Sequence, residues 1–354
     1  MDNGLMEALV LHGVGDLRLA QIPIPTVSEG QVRVRIGFCG VCGSDIPRIF
    51  SKGTYSFPTV CGHEFAGTIV ECGKRVDDFR PGDNVVVFPL IWCGKCAACE
   101  NGKYVQCNDY DYLGSRSDGA YAEYVVAPTE NIIRVPDGVT LEEAAQTEPA
   151  AVALHAIRRV KDTLIGKTVA IFGAGPIGLM VAQWARIIGA AQVLLFDIVP
   201  EKLKLAQRLG FECVFNSAIE DPVEVTNTQT DGNGAHVCIE AAGVPETYLY
   251  ALGSVRRGGS VVLLGNPVAD VTLPASLISQ LMRREVSLLG TWNSDYSVSG
   301  NDDDWRMVLQ AMASDKLDLF PLITHKVPLA DGVDVLNMMK AKSEFYAKVL
   351  IHPS

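Results

Sequence analysis

The sequence predicts an α/β protein of two domains, a β-rich one followed by one built on a parallel sheet. Three observations predict it. Short apolar stretches punctuated by glycine and proline fill the first part; the run TVAIF, GAGPIG, MVAQWARIIG, QVLLFD begins at Thr168; and strand signals recur in AHVCIE and SVVLLG. The expected bounds are 1–155 for the β-rich domain, 156–290 for the parallel-sheet domain, and 291–354 for a C-terminal part returning to the first.

In chain order, strands are expected at 5–11, 31–39, 65–72, 84–88 and 120–126, and late helices at 303–313 and 331–342, ahead of a last strand in AKVLI. With 354 residues, 48% of them hydrophobic, the chain can bury cores for two domains. Ten cysteines at this length fall short of a secreted disulfide density, and MDNGLMEALV has neither the basic start nor the apolar run of a signal peptide. A reduced, cytoplasmic protein is expected. The apolar run from TVAIF onward is interrupted by glycines, Pro176 and Arg186, so no membrane span is expected. A formal charge of −11 without a Lys/Arg block argues against nucleic-acid binding, and an anionic substrate would need local basic side chains.

The nucleotide signal is GAGPIG, set between an apolar strand and a helix. Gly173 permits the turn, Gly175 lets a pyrophosphate approach the backbone, and Gly178 brings helix and strand together, with Pro176 and Ile177 opening the helix whose N–H groups face the anion. This is a Rossmann pattern. Asp197 ends QVLLFD, 19 residues after Gly178, where a carboxylate accepts from a ribose diol and repels a 2′-phosphate. NAD is therefore the expected cofactor, with Lys202, expected beside it, and Lys204 keeping NADP open as an alternative.

Two constellations suit metal ions. Cys93, Cys96, Cys99 and Cys107, in the spacing C-x2-C-x2-C-x7-C, offer four thiolates, a closed tetrahedral sphere for a structural Zn2+; an iron–sulfur cluster or four free thiols are the alternatives. The second is dispersed: Cys42 in CGVCGSD, His63 and Glu64 in GHEFAG, and Glu148 in TEPA. A mixed sulfur, nitrogen and oxygen set can keep an exchangeable position, and beside a hydride acceptor it reads as a Lewis acid for an alcohol. Ser44 is the candidate proton relay and Asp45 the candidate acceptor that holds a ligand histidine. Cys39, Cys61, Cys72, Cys213 and Cys238 read as small core residues, and His155 as structural.

Taken together, CGSD, GHEFAG, RPGDNV, the four-cysteine segment, DGAYAEY, EPAAVALHA, GAGPIG and LGTW resemble the zinc-containing medium-chain alcohol and polyol dehydrogenases over nearly the whole chain. The resemblance implies a GroES-like catalytic domain carrying a structural-zinc lobe, formed from both chain ends around a Rossmann domain, in homodimers or homotetramers. It implies one catalytic zinc on Cys42, His63 and Glu64 or Glu148, and one structural zinc on the four cysteines. Many relatives have a histidine two residues after the aspartate of CGSD; here that residue is Pro47, so proton release is expected through Ser44 and water or another path.

The segments CGSDIPRIF, YDYLGSRSDGAYAEY and GTWNSDYS look like the galactitol-1-phosphate 5-dehydrogenase branch of that family. That likeness implies oxidation of galactitol 1-phosphate to tagatose 6-phosphate with NAD; a neutral polyol such as galactitol, arabinitol, xylitol or sorbitol is the alternative. Arg48, Lys52 and Arg116 are the candidate phosphate partners, and Trp292, Asn293 and Tyr296 the candidates for the far side of the substrate site.

Overall fold

The computed structural model describes residues 4–300 and 302–353. It divides into two compact units, Met1–Pro149 with Asp295–Ser354, and Ala150–Ser294.

The first unit is β-rich. In the strand Gln31–Gly40, Val32, Val34 and Ile36 point into the core while Arg33 and Arg35 point away, the period-2 signature of a strand with one buried face. This strand pairs antiparallel with Glu64–Cys72, Tyr124–Pro128 and Lys348–His352. Lys348–His352 also runs parallel to Ile323–Pro328, so the last strand, the one read in AKVLI, lies in the same sheet as Gln31–Gly40. Leu5–Gly13 forms a hairpin with Asp16–Pro23, a strand absent from the sequence reading. The strand expected at 120–126 starts at Tyr124; residues before it make one isolated bridge, Ala122 to Ala8. The N–H groups of Gly119, Ala120 and Tyr121 donate to the carbonyls of Val60, Gly62 and Cys61, while pairing with Gln31–Gly40 runs over Tyr124–Pro128. Gly119 lies so close to Gly62 that an added Cβ would sit 2.2 Å from the Gly62 carbonyl oxygen. Leu9, Leu11, Phe65, Tyr121, Leu336 and Ile351 are among the residues that fill the core between these elements.

The second unit is a six-stranded parallel sheet ordered Val214–Asn216, Gln192–Asp197, Thr168–Phe172, Ala235–Glu240, Val255–Leu263, Ser287–Gly290. Numbered within the unit this is 3-2-1-4-5-6, the Rossmann order, whose switch point lies beside the first strand. Stacking of Phe172 on Phe196, 5.0 Å between centroids, with Leu194, Cys238 and Val261, forms part of its core. The helix Pro176–Ile187 is apolar nearly all round because most of its residues are buried. No helix among the described residues is long and apolar enough to cross a membrane.

Candidate active site

Two strands of the first unit bring the mixed ligands together. Cys42 follows the strand Gln31–Gly40, and His63 and Glu64 stand where the strand Glu64–Cys72 begins. Register decides the meeting point: Gly40 lies opposite Glu64. A Cβ on Gly40 would fall 2.4 Å from a Glu64 carboxylate oxygen, so glycine is what leaves that carboxylate its seat. Ligand atoms of Cys42, His63 and Glu64 all lie within 4.8 Å of one another. A thiol, an imidazole and a carboxylate at that spacing fit one zinc ion.

The surroundings favour a cation. Burial, then the charges of Glu64, Asp45 and Glu148, pushes the Cys42 thiol well up, so its thiolate needs a positive partner to form. Nδ1 of buried His63 makes no hydrogen bond and lies 3.6 Å from Asp45 Oδ1. Asp45 is fully buried and accepts from Tyr121 Oη at 2.7 Å, from the Cys42 N–H at 3.1 Å and from Arg48. Ser44 Oγ donates to Cys42 Sγ at 3.2 Å. Glu148, in the first turn of the helix Thr147–Arg158, lies outside the close-packed donor atoms and accepts from Tyr112 Oη at 3.3 Å. Burial pushes its carboxyl up to about 7, opposed by His63.

Lys348 is the functional residue that the sequence reading lacked. Its Nζ donates to Glu64 Oε2 at 2.5 Å and to the Val41 carbonyl at 3.3 Å. Burial works against its charge, but Glu64 and the neighbouring acids hold its pKa above the ordinary value. A lysine at the start of an apolar strand was the available signal. Tyr112, in edge contact with the His63 ring at 5.8 Å, and Tyr121 were likewise unassigned.

The four cysteines also converge. Sulfur separations are 3.5 Å for Cys96 to Cys99, 3.9 Å for Cys96 to Cys107 and 4.0 Å for Cys93 to Cys99. Tetrahedral zinc with bonds of ~2.3 Å requires edges of about 3.8 Å. All ten cysteines are unbridged. Backbone hydrogen bonds from Asn108 and Cys99 draw the Cys96 thiol down to about 6, favouring the thiolate that a metal takes. With four protein donors this sphere is closed, whereas three donors leave the mixed centre open to a substrate oxygen.

In the second unit, Gly173 has φ 112°, and a Cβ on Gly178 would lie 1.9 Å from the Gly173 carbonyl oxygen. A Cβ on Gly175 would meet nothing within 4 Å, and Gly175 gives the helix Pro176–Ile187 no side-chain cap. Space and uncapped N–H groups together fit a pyrophosphate. Asp197 Oδ2 accepts from the Ala174 N–H at 2.8 Å and pairs with Lys202 at 3.2 Å, while Oδ1 accepts from the Val199 N–H at 2.9 Å. Lys202 therefore meets the aspartate. Glu240, also unassigned from sequence, closes the adjoining loop by accepting from the Ala242 and Gly243 N–H groups and from Thr247.

The substrate candidates separate. Arg48 is bound to Asp45, and Tyr296 is buried, stacked on Phe88 at 4.3 Å with its hydroxyl on the Glu130 carbonyl. Trp292 is 60% exposed, and Asn293 Oδ1 accepts from the Ser294 N–H. Arg116 lies between the rings of Tyr55 and Tyr110.

Residues 28–137 match the alcohol dehydrogenase GroES-like domain, and 176–314 the zinc-binding dehydrogenase domain. Galactitol 1-phosphate 5-dehydrogenase of Escherichia coli (strain K12) is 35% identical over 349 residues, covering 98% of this chain and 100% of the relative. The chain belongs to the zinc-type, NAD-dependent medium-chain alcohol dehydrogenases. As a member of that family it is also similar to sorbitol dehydrogenase of Bacillus subtilis (strain 168), at 31% identity over 99% of this chain and 98% of the relative. The crystal structure of galactitol-1-phosphate dehydrogenase from Escherichia coli superposes with TM-score 0.92 at 34% identity, over 98% of this chain and 100% of that one. The two donor clusters and the Rossmann unit agree with a medium-chain dehydrogenase holding one catalytic zinc, one structural zinc and NAD.

Proposed function

We propose that this dehydrogenase oxidises a secondary alcohol of a polyol phosphate, galactitol 1-phosphate to tagatose 6-phosphate, with reduction of NAD. The open three-donor centre of Cys42, His63 and Glu64 carries the reading. When bound there, zinc supplies the Lewis acidity that lowers the pKa of a substrate hydroxyl, and NAD accepts the hydride from the carbon bearing it.

The chain's own residues account for the rest. Asp45 lies against His63 and, itself held by Tyr121 and Arg48, fixes the loop that carries Cys42. Lys348 orients the Glu64 carboxylate, and Tyr112 that of Glu148. Ser44, beside Cys42 Sγ, takes the departing hydroxyl proton toward solvent, the role that Pro47 cannot fill. Gly175 admits the pyrophosphate, and Asp197 with its Lys202 partner meets the adenosine ribose. The likeness to galactitol 1-phosphate 5-dehydrogenase supports the phosphorylated substrate.

NADH formation measured across phosphorylated and free polyols tests the reading. Turnover of galactitol 1-phosphate well above galactitol is expected; use of neutral polyols alone would sink the phosphate assignment. We also infer a homo-oligomer, from an exposed sheet edge in the nucleotide unit.

A further inference from the structure

A pocket of about 470 Å3 opens in the catalytic unit, with Tyr55, Trp92, Lys95, Tyr110 and Arg116 on its walls. The Arg116 guanidinium carbon lies 4.2 Å from the centroid of each of two rings, Tyr55 and Tyr110. Aromatic contact on both sides fixes the guanidinium plane and leaves its N–H edge to donate. Its hydrogen bond to Tyr55 Oη is long at 3.4 Å; burial works against its charge, while Tyr55 and Tyr110 hold its pKa above the ordinary value. Arg48, Arg33 and Arg306 differ, each being paired with an acid.

We propose that Arg116, with Lys95, is the seat of the substrate's phosphate group; the assignment rests on the polyol-phosphate reading and singles out one of its candidate cations. Packed rings run from the pocket's Tyr110 toward the mixed donors. Tyr110 meets Tyr112 edge-on at 6.4 Å, and Tyr112 touches the His63 ring and donates to Glu148. Lys95 stands between Cys93 and Cys96, so the four-cysteine lobe carries one of the two cations. Asp109 and Asp111 also line the pocket and cancel its diffuse positive field. Recognition therefore depends on paired hydrogen bonds from the guanidinium edge to a tetrahedral oxyanion, and a neutral polyol forfeits them.

Calorimetric titration of the zinc-loaded protein with inorganic phosphate, beside steady-state kinetics on galactitol 1-phosphate and galactitol, tests this. Inorganic phosphate is expected to bind and to compete with the phosphorylated substrate. Arg116→Gln keeps a planar group between the tyrosines but removes the charge and the fork. It should weaken phosphate binding and lower the ratio of kcat/KM for phosphorylated over neutral polyol by about 10- to 100-fold, chiefly through KM. Arg116→Lys, a charge without the fork, should fall between. An unchanged ratio, an equal loss on both substrates, or phosphate binding that does not compete overturns the assignment. The two readings fail separately. Phosphate binding that Arg116→Gln abolishes, in a protein that turns over no polyol phosphate, sinks the substrate reading; turnover of polyol phosphate with phosphate binding unaltered in Arg116→Gln sinks the seat alone.

Discussion

Lys348 and Glu64 meet at 2.5 Å with side chains only 4% and 2% exposed, so neither charge has water to fall back on. Removing one partner of such a pair strands the other, at a cost of about 3–5 kcal/mol. Lys348→Met should lower stability by that order in denaturant titration. It should also weaken zinc at the mixed centre by about 10- to 100-fold, as loss of a ligand's supporting partner does elsewhere. Cys42→Ala separates the centres differently: metal analysis should fall from two ions per chain to one, with NAD-dependent turnover abolished and the four-cysteine ion retained. Retention of both ions would remove Cys42 from the ligand set.

The glycine loop of the nucleotide unit shows what an element demands of single positions. Gly178→Ala would drive a Cβ to 1.9 Å from a backbone oxygen, whereas Gly175→Ala meets only open space. The first change should destabilise the unit by about 1–3 kcal/mol or more, because a carbonyl cannot rotate away as a side chain can. The second should leave the melting temperature in place and raise the NAD dissociation constant at least tenfold, read by fluorescence titration. Equal melting losses for both would contradict this division. The loop was legible from the sequence because its chemistry is local: glycine, strand and helix are neighbours in the chain. Strand 31–39 was legible from alternation. The hairpin strand Asp16–Pro23 was not, since only Leu17 in it is buried and its apolar residues Leu17, Leu19 and Ile22 do not keep one period. Cys42 and His63 could be suspected from residue type, but Lys348 meets Glu64 across 284 positions, and no periodicity reports a contact of that range. Arg48 shows how a local partner enters that sequence reasoning does not weigh. Its closeness in sequence to the catalytic loop suggested a ligand role, yet the nearest anion was Asp45 in its own turn.

At the scale of the molecule, an edge of the nucleotide unit's sheet carries exposed apolar side chains. The strand Ser287–Gly290 is one edge of the six-stranded sheet, and the helix Ala275–Arg284 ahead of it has no buried residue. Met282 and Leu288 are 74% and 52% exposed there. A second copy presenting the same edge about a two-fold axis would pair these strands and cover the apolar side chains. Leu288→Lys is expected to lower the mass seen in light scattering toward a single chain, while a mass unchanged from wild type would exclude this edge as the contact.

The sharing of one sheet by both ends of the chain also sets an order of assembly. The nucleotide unit is one continuous stretch, Ala150–Ser294, and can fold as soon as it leaves the ribosome. The catalytic unit must wait for Lys348–His352, the strand that pairs with Gln31–Gly40. A nascent chain stalled after residue 294 would hold Cys42, His63 and Glu64 beside an empty place in the sheet, with Glu64 lacking the lysine that orients its carboxylate for a metal ion. Correct metal loading is thereby tied to completion of synthesis.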